Sequence, residues 1–330
     1  MLLIQTRLDT HTPSFMYPAG APAGSQAKLG WELTIVAMAT VVIISVILIA
    51  ALARRRSPSE NGDATGKGGG RWHVASGVNW IYIGLAITVV VLLASFGVTV
   101  AAIDASARPP ITPPITLNIS AHQWWWEVNI ADSVPSHSFT TANEIHVPVG
   151  VPILLRVQSY NVIHSFWVPE LGGKIDVIPG QINESWIRAD RAGLFRGQCA
   201  EYCGLQHSHM AFTVIAQPSA EYEAWASAQR MAGAPPTGDT SVAAGEAVFT
   251  RSCGGCHAVR GSGALGRVGP DLTHIASRLT IAAGLVDNTP TTLAAWIRDP
   301  QSMKPGALMP AVDLRQSELN SVVAYLETLH

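Results

Sequence analysis

Two long apolar runs dominate the first third of the chain. Leu33–Ala53 is 21 residues without a charge, and Arg54, Arg55 and Arg56 follow at once. Asn79–Ile103 is a second uncharged run, closed by Asp104. A helix needs about 20 apolar residues to cross a bilayer core, so both runs have spanning length. An arginine at the centre of such a helix costs roughly 2.5–3.5 kcal/mol, which makes the triplet the end of a span. The pattern then changes period. Ile115, Leu117 and Ile119 alternate with polar residues, as in a half-buried strand. Glu144–Val149, Ile153–Ser159, Ser185–Asp190 and Ala211–Ala216 are further strand candidates, bounded by Pro and Gly. Short strands of this kind predict an all-β sandwich. Near the C-terminus, Leu319, Val322, Val323, Leu326 and Leu329 form a helical stripe, with Ser317 as the expected N-cap. Glu221–Met231 is a short helix candidate. The fold class is therefore multi-domain: a two-helix membrane hairpin, an all-β domain and an all-α domain.

The punctuation between these elements divides the chain. Residues 1–30 are polar and rich in Pro, Ala and Gly, and read as a loose tail. Met1-Leu-Leu-Ile is too short for the apolar core of a signal peptide. Residues 31–107 make the hairpin, 108–218 the β domain, 219–241 a linker centred on Ala234-Pro-Pro-Thr-Gly238, and 242–330 the helical domain. The connector 54–78 carries Arg54, Arg55, Arg56, Lys67 and Arg71 against Glu60 and Asp63. Positive loops stay in the cytoplasm, so both large domains are expected on the periplasmic side of the cell membrane.

Composition adds three constraints. Only 13% of the 330 residues are charged and the net charge is −2, which argues against a nucleic-acid partner. Mean hydropathy is +0.24, consistent with a membrane segment. Four cysteines fall in two pairs, and each pair belongs to a cofactor motif, so none is left for a structural disulfide.

The first pair lies in Cys199-Ala-Glu-Tyr-Cys203-Gly-Leu-Gln-His207-Ser-His-Met210. Thiolate, thioether and imidazole together suit copper. His164, in Val162-Ile-His164-Ser-Phe-Trp167, completes a set of two Cys, two His and one Met. Mononuclear blue copper needs a single Cys; a second thiolate allows two coppers to be bridged. A disulfide would leave His207 and Met210 unexplained, and zinc rarely takes Met.

These residues, with Glu201 between the cysteines, resemble the dinuclear CuA centre of cytochrome c oxidase subunit II. Val168-Pro-Glu-Leu-Gly172, Lys174-Ile-Asp-Val-Ile-Pro-Gly180 and Gly197-Gln-Cys199 match the same family. The resemblance implies a cupredoxin fold for the β domain, with His164, Cys199, Cys203, His207, Met210 and the Glu201 carbonyl on copper. It implies a Mg²⁺ at the boundary with the catalytic subunit, faced by the Glu201 carboxylate. The aromatic patch where electrons enter falls on Trp124, Trp125 and Trp126, with Trp124 the leading candidate. Three consecutive tryptophans cannot all face one core if they lie on a strand, because side chains alternate. The family does not use a histidine at His209.

The second pair lies in Cys253-Gly-Gly-Cys256-His257, a c-type haem attachment signature. Lys304-Pro-Gly-Ala-Leu-Met309-Pro resembles the Pro-Gly-x-x-Met loop of class I cytochromes c. It makes Met309, rather than Met303, the sixth ligand opposite His257. His/Met ligation raises a haem potential. Gly269-Pro270-Asp271-Leu272 resembles the segment whose Pro carbonyl orients the proximal His, and Gly245 and Phe249 fall on a helix before the haem motif.

Together these resemblances imply the second subunit of a caa3-type oxidase. Electrons would pass from an external donor, such as a cytochrome c or a bc1-type complex, to haem c, to CuA and on to catalytic subunit I. Other oxidase subunits are expected as partners. The chain offers no ligands for an oxygen-reducing site of its own. Two departures stand out. Gly77-Val-Asn79-Trp80 lacks the Glu that many relatives carry near the start of the second helix, and Asn161 stands where an Asp is common. Two alternatives stay open: the same module serving a nitric oxide reductase, and a membrane-tethered copper chaperone.

Overall fold

A computed structural model describes residues 14–54, 71–131, 134–233 and 239–330, without the side chains of 54, 71–78 and 136. It contains two apolar helices, a β-sandwich and a helical domain. Helices α1 (Ala21–Arg54) and α2 (Arg71–Ala107) each hold a stretch long and apolar enough to cross a membrane. Pro22 sits in the first turn of α1, where its missing N–H is no loss. Thr34, Thr40, Thr88 and Thr99 each donate to the carbonyl four residues back. A hydroxyl bonded in this way is not left bare in hydrocarbon. The connector that carries Arg55, Arg56 and Lys67 lies outside the described residues.

Among the described residues, those within 25–106 form one compact unit and the others form a second. Part of the segment expected to be a loose tail belongs to the second unit. Ala19 N–H donates to the Glu170 carbonyl at 2.8 Å, and Asp190 N–H to the Ala19 carbonyl at 2.7 Å. A Cβ on Gly20 would collide with the Arg188 carbonyl. Small residues let this stretch lie against the β domain as an extra bridge, which composition alone does not disclose.

The sandwich has ten strands: β1 (Ile115–His122), β2 (Trp125–Ala131), β3 (Phe139–Ala142), β4 (Glu144–Pro148), β5 (Ile153–Ser159), β6 (His164–Trp167), β7 (Ile175–Val177), β8 (Asn183–Ile187), β9 (Gly193–Cys199) and β10 (Ala211–Gln217). One sheet runs β3-β2-β1-β5-β8 and the other β4-β10-β9-β6-β7. Alternation puts Leu117, Ile119 and Ala121 inside, opposite Ile130, Val128 and Trp126 on β2. The chain changes sheets at Asn143, a non-glycine residue at φ 62°. Its side-chain oxygen accepts the Trp126 N–H at 2.9 Å, which closes the corner.

Helix α3 (Ser219–Arg230) lies in the expected linker, yet Tyr222 and Ala226 are buried against the sandwich. The Pro-Pro centre of that linker falls outside the described residues. The helical domain contains α4 (Thr240–Ser252), a two-residue hairpin of β11 (Thr280–Ile281) and β12 (Val286–Asp287), α5 (Pro290–Arg298), α6 (Pro300–Met303) and α7 (Gln316–Leu326). Helix α4 crosses α7 at Gly245, where a Cβ would collide with the Ser321 carbonyl. The N-cap of α7 is Arg315 rather than Ser317: its N–H donates to the Glu318 carboxylate at 3.1 Å. With the Arg315 guanidinium also donating to Glu318, the helix starts two residues earlier.

Candidate functional site

The strand pattern gathers the copper-type ligands at one end of the sandwich. His164 begins β6 and Cys199 ends β9, and these strands pair with Phe166 opposite Cys199. Met210 immediately precedes β10, and its carbonyl accepts the Cys199 N–H at 2.9 Å. The loop 200–210 is therefore clipped at its base. Cys199 Sγ lies 3.7 Å from Cys203 Sγ and 3.8 Å from His164 Nδ1. Cys203 Sγ lies 3.7 Å from His207 Nδ1 and 3.9 Å from Met210 Sδ. The Glu201 carbonyl sits 3.1 Å from Cys199 Sγ, while its carboxylate is exposed and accepts the Tyr202 N–H. All six sequence-predicted groups converge, and His164, Cys199, Cys203 and Met210 are buried. His209 turns aside to bond Gln206.

The electrostatics suit a metal. The hydrogen bond between the two sulfurs lowers the Cys199 pKa to about 3 and, with burial, raises that of Cys203. Both sulfurs are free, although they are close. Asn161 Oδ1 lies 3.0 Å from His164 Nε2, which leaves Nδ1 directed at Cys199. A soft donor set this close, with a carbonyl beside it, fits two bridged coppers.

The three tryptophans separate. Trp126 is 0% exposed and packs edge-on against Phe166 and Phe212. Trp125 stacks on His122 with centroids 4.3 Å apart. Trp124 bridges: its indole N–H donates to the Cys203 carbonyl at 3.0 Å, beside Gln123, which donates at 2.8 Å.

Trp124 also lines a crevice in the helical domain. The crevice encloses about 1380 Å³, counting its open mouth, and Cys253, Cys256, His257 and Met309 line it. Met303 is not part of its wall. His257 Nδ1 donates to the Pro270 carbonyl at 2.8 Å, which leaves Nε2 as a ligand. Burial lowers the His257 pKa, and the neutral ring is the form that binds metal. A Cβ on Gly269 would lie 2.6 Å from the His257 ring, so only glycine fits there. The buried Nε of Arg278 has no hydrogen-bond partner in this wall, and it suits a carboxylate of the haem. The residues fit a covalent haem c.

Several functional residues have no local sequence signal. Gln301 holds the Met309 loop, donating to the Ala307 and Met309 carbonyls and accepting the Gly306 N–H. Glu144 of the sandwich is buried and accepts the N–H groups of Leu279 (2.6 Å) and Thr280 (3.2 Å). Burial raises its pKa, and Arg278 opposes the shift.

Comparison with known proteins agrees with both halves. The family described as "Cytochrome C oxidase subunit II, periplasmic domain" matches residues 131–217, and "Cytochrome c" matches 242–330. The chain is 33% identical over 316 residues to cytochrome c oxidase subunit 2 of Alkalihalophilus pseudofirmus, covering 93% of this chain and 89% of that one. It is 33% identical over 226 residues to the same subunit of Bacillus sp. (strain PS3), covering 65% and 62%. The solved periplasmic domain of subunit II of cytochrome oxidase from Bradyrhizobium japonicum is 30% identical, with a TM-score of 0.35, covering 36% of this chain and 96% of that one. The chain belongs to the cytochrome c oxidase subunit 2 family, with a cytochrome c domain fused to its C-terminal side.

Proposed function

We propose that this subunit takes electrons from an external donor at a haem c and carries them by a dinuclear copper centre to the catalytic subunit that reduces oxygen to water. The observation that carries this reading is Trp124. It lines the haem-type crevice, and its N–H is bonded to the carbonyl of the proposed ligand Cys203.

Cys253 and Cys256 would hold the haem by thioether bonds, with His257 and Met309 on its iron. His164, Cys199, the Glu201 carbonyl, Cys203, His207 and Met210 would hold the coppers. Bound there, these groups supply centres that gain and lose single electrons. The chain supplies the rest. Pro270 and Asn161 fix the faces that His257 and His164 present. Burial of the sulfurs keeps water from them. Trp124 and Trp125 form the wall shared by the two halves. The exposed Glu201 carboxylate is the candidate ligand for Mg²⁺ at the boundary with the catalytic subunit. The basic connector supports an inward loop, with both large domains outside the membrane.

Oxygen consumption by the complex purified through this chain, with reduced cytochrome c as donor, tests the reading. Rapid uptake is expected, abolished by Met309→Ala and by Cys199→Ser in complexes that still assemble. Slow oxygen uptake with fast nitric oxide consumption would overturn the choice of acceptor.

A further inference from the structure

Lys304 stands five residues before Met309, and it is only 3% exposed. Its ammonium donates to three carbonyl oxygens: Trp124 at 2.9 Å, His209 at 2.8 Å and Ala282 at 2.9 Å. An ammonium has three donors and no acceptor, so its set is filled. The partners are carbonyl dipoles rather than a carboxylate. Burying a cation in this way is expensive unless its donors are satisfied. Burial lowers its pKa to about 7, opposed by Cys203.

The three carbonyls mark the seam between the two halves. Trp124 is bonded to the Cys203 carbonyl, and His209 immediately precedes Met210. Ala282 lies in a left-handed turn of the cytochrome half, at φ 54°. The carbonyl of its neighbour Ala283 accepts the Ala211 N–H at 3.1 Å. On either side of Lys304 the same loop is held again. Gln206 donates to the Pro305 carbonyl at 2.7 Å, and Gly306 faces Leu205 and the Trp124 ring.

We propose that Lys304 is a positioning residue for electron transfer between the haem and copper centres. Its three bonds seat the Met309 loop, and with it the haem crevice, against Trp124 and the copper loop. This rests on the electron path proposed above. Electron tunnelling falls exponentially with separation, so a fixed seat matters more than residence nearby. A tether raises local concentration; it does not choose which face of the cytochrome meets the copper loop. Lys304 contributes to that choice, because its nitrogen ties the Trp124 and His209 carbonyls of the sandwich to the Ala282 carbonyl of the cytochrome half.

The test uses the complete complex without oxygen. One electron is placed on the haem by a photoexcited reductant, and its passage is followed by haem absorption and by the near-infrared band of the copper pair. Lys304→Met keeps the apolar stem and removes the donors. It is expected to slow haem-to-copper transfer at least tenfold, with both cofactor spectra, copper content and the rate of haem reduction unchanged. Transfer within twofold of the parent, with those controls intact, would overturn the assignment. No transfer in the parent itself would overturn the electron path, and this role with it. A second measurement needs no variant. In the intact complex Lys304 should react with an amine acylating reagent at least tenfold more slowly than exposed Lys174, read by mass spectrometry. Equal rates would show that the seat is not occupied, and the proposal would fail.

Discussion

The copper loop and the haem crevice hold their ligands by different means. In the loop, the protein's own side chains fill the site: four of the proposed ligands are buried, and adjacent donors lie 3.7–3.9 Å apart. In the crevice, the proposed ligands line an open-mouthed space that side chains do not fill. The loop is preorganised by strand pairing, so a metal bound there would meet a finished frame. The crevice is bounded by both domains, with Gln123, Trp124, Trp125 and Asn143 of the sandwich supplying part of its wall. Interiors are close-packed, so a haem bound there would extend the core that α4, α5 and α7 already share.

The largest effect follows from that difference. Preventing haem attachment with Cys253→Ala and Cys256→Ala should abolish the cooperative thermal transition of the cytochrome half, seen by calorimetry. The sandwich should keep its own transition. Stripping copper with a chelator should do much less: the sandwich transition should persist as one step at a lower midpoint. If apo-copper protein lost its transition while haem-free protein kept both, the contrast would be reversed.

Two glycines probe the frames themselves. A Cβ on Gly245 would strike the Ser321 backbone, and one on Gly197 would strike the Phe212 ring. Overpacking costs typically about 1–3 kcal/mol. Gly245→Ala should reach the upper end, because a helix backbone must retreat. Gly197→Ala should cost less, because a ring can tilt. Denaturant titration of each half reads the difference, and equal costs would mean that Phe212 is as immobile as a backbone.

The copper site was legible because its chemistry is rare and mostly local: five of the six groups lie between 199 and 210. The haem motif and the two apolar runs were legible for the same reason. Strands β2, β3, β6, β7 and β9 were not: β3, β6 and β7 are short, β9 is interrupted by glycine, and Gly197 is needed only once Phe212 lies across it. The seam was invisible. Lys304 meets Trp124 across 180 positions and Glu144 meets Leu279 across 135, and no periodicity encodes such pairs. Residues 14–24 misled for a related reason: Ala and Gly read as slack until a close backbone contact requires them.

Asn161 offers a finer test of preorganisation. Its bond to His164 holds a ligand rather than the metal. Loss of such a partner typically costs about 10–100-fold in metal affinity. Asn161→Ala should weaken copper retention by that factor in a chelator competition and shift the copper spectrum. Asn161→Asp, which still accepts the bond, should retain copper. An unchanged Asn161→Ala would mean that packing alone orients His164.

The smallest effect is expected where the two halves are joined. Helix α3 rests on the sandwich through Trp225, stacked on His146 at 4.0 Å, and Gln217 bonds the same imidazole. Burial lowers the His146 pKa to about 4, against the opposing bond from Gln217. Folding thus favours the neutral ring over the cation. Its contribution is complete above the ordinary value near 6.5 and is lost as pH falls toward 4. Hydrogen exchange in α3 should quicken modestly across that window, while strands β1 and β5 at the centre of their sheet stay protected. His146→Phe keeps a ring against Trp225 and removes the titration, so its α3 should exchange at a rate independent of pH there once intrinsic chemistry is subtracted. A parent profile equally flat would mean that α3 is held by Tyr222 and Ala226 alone, and that the stacked histidine is only a spectator of the joint.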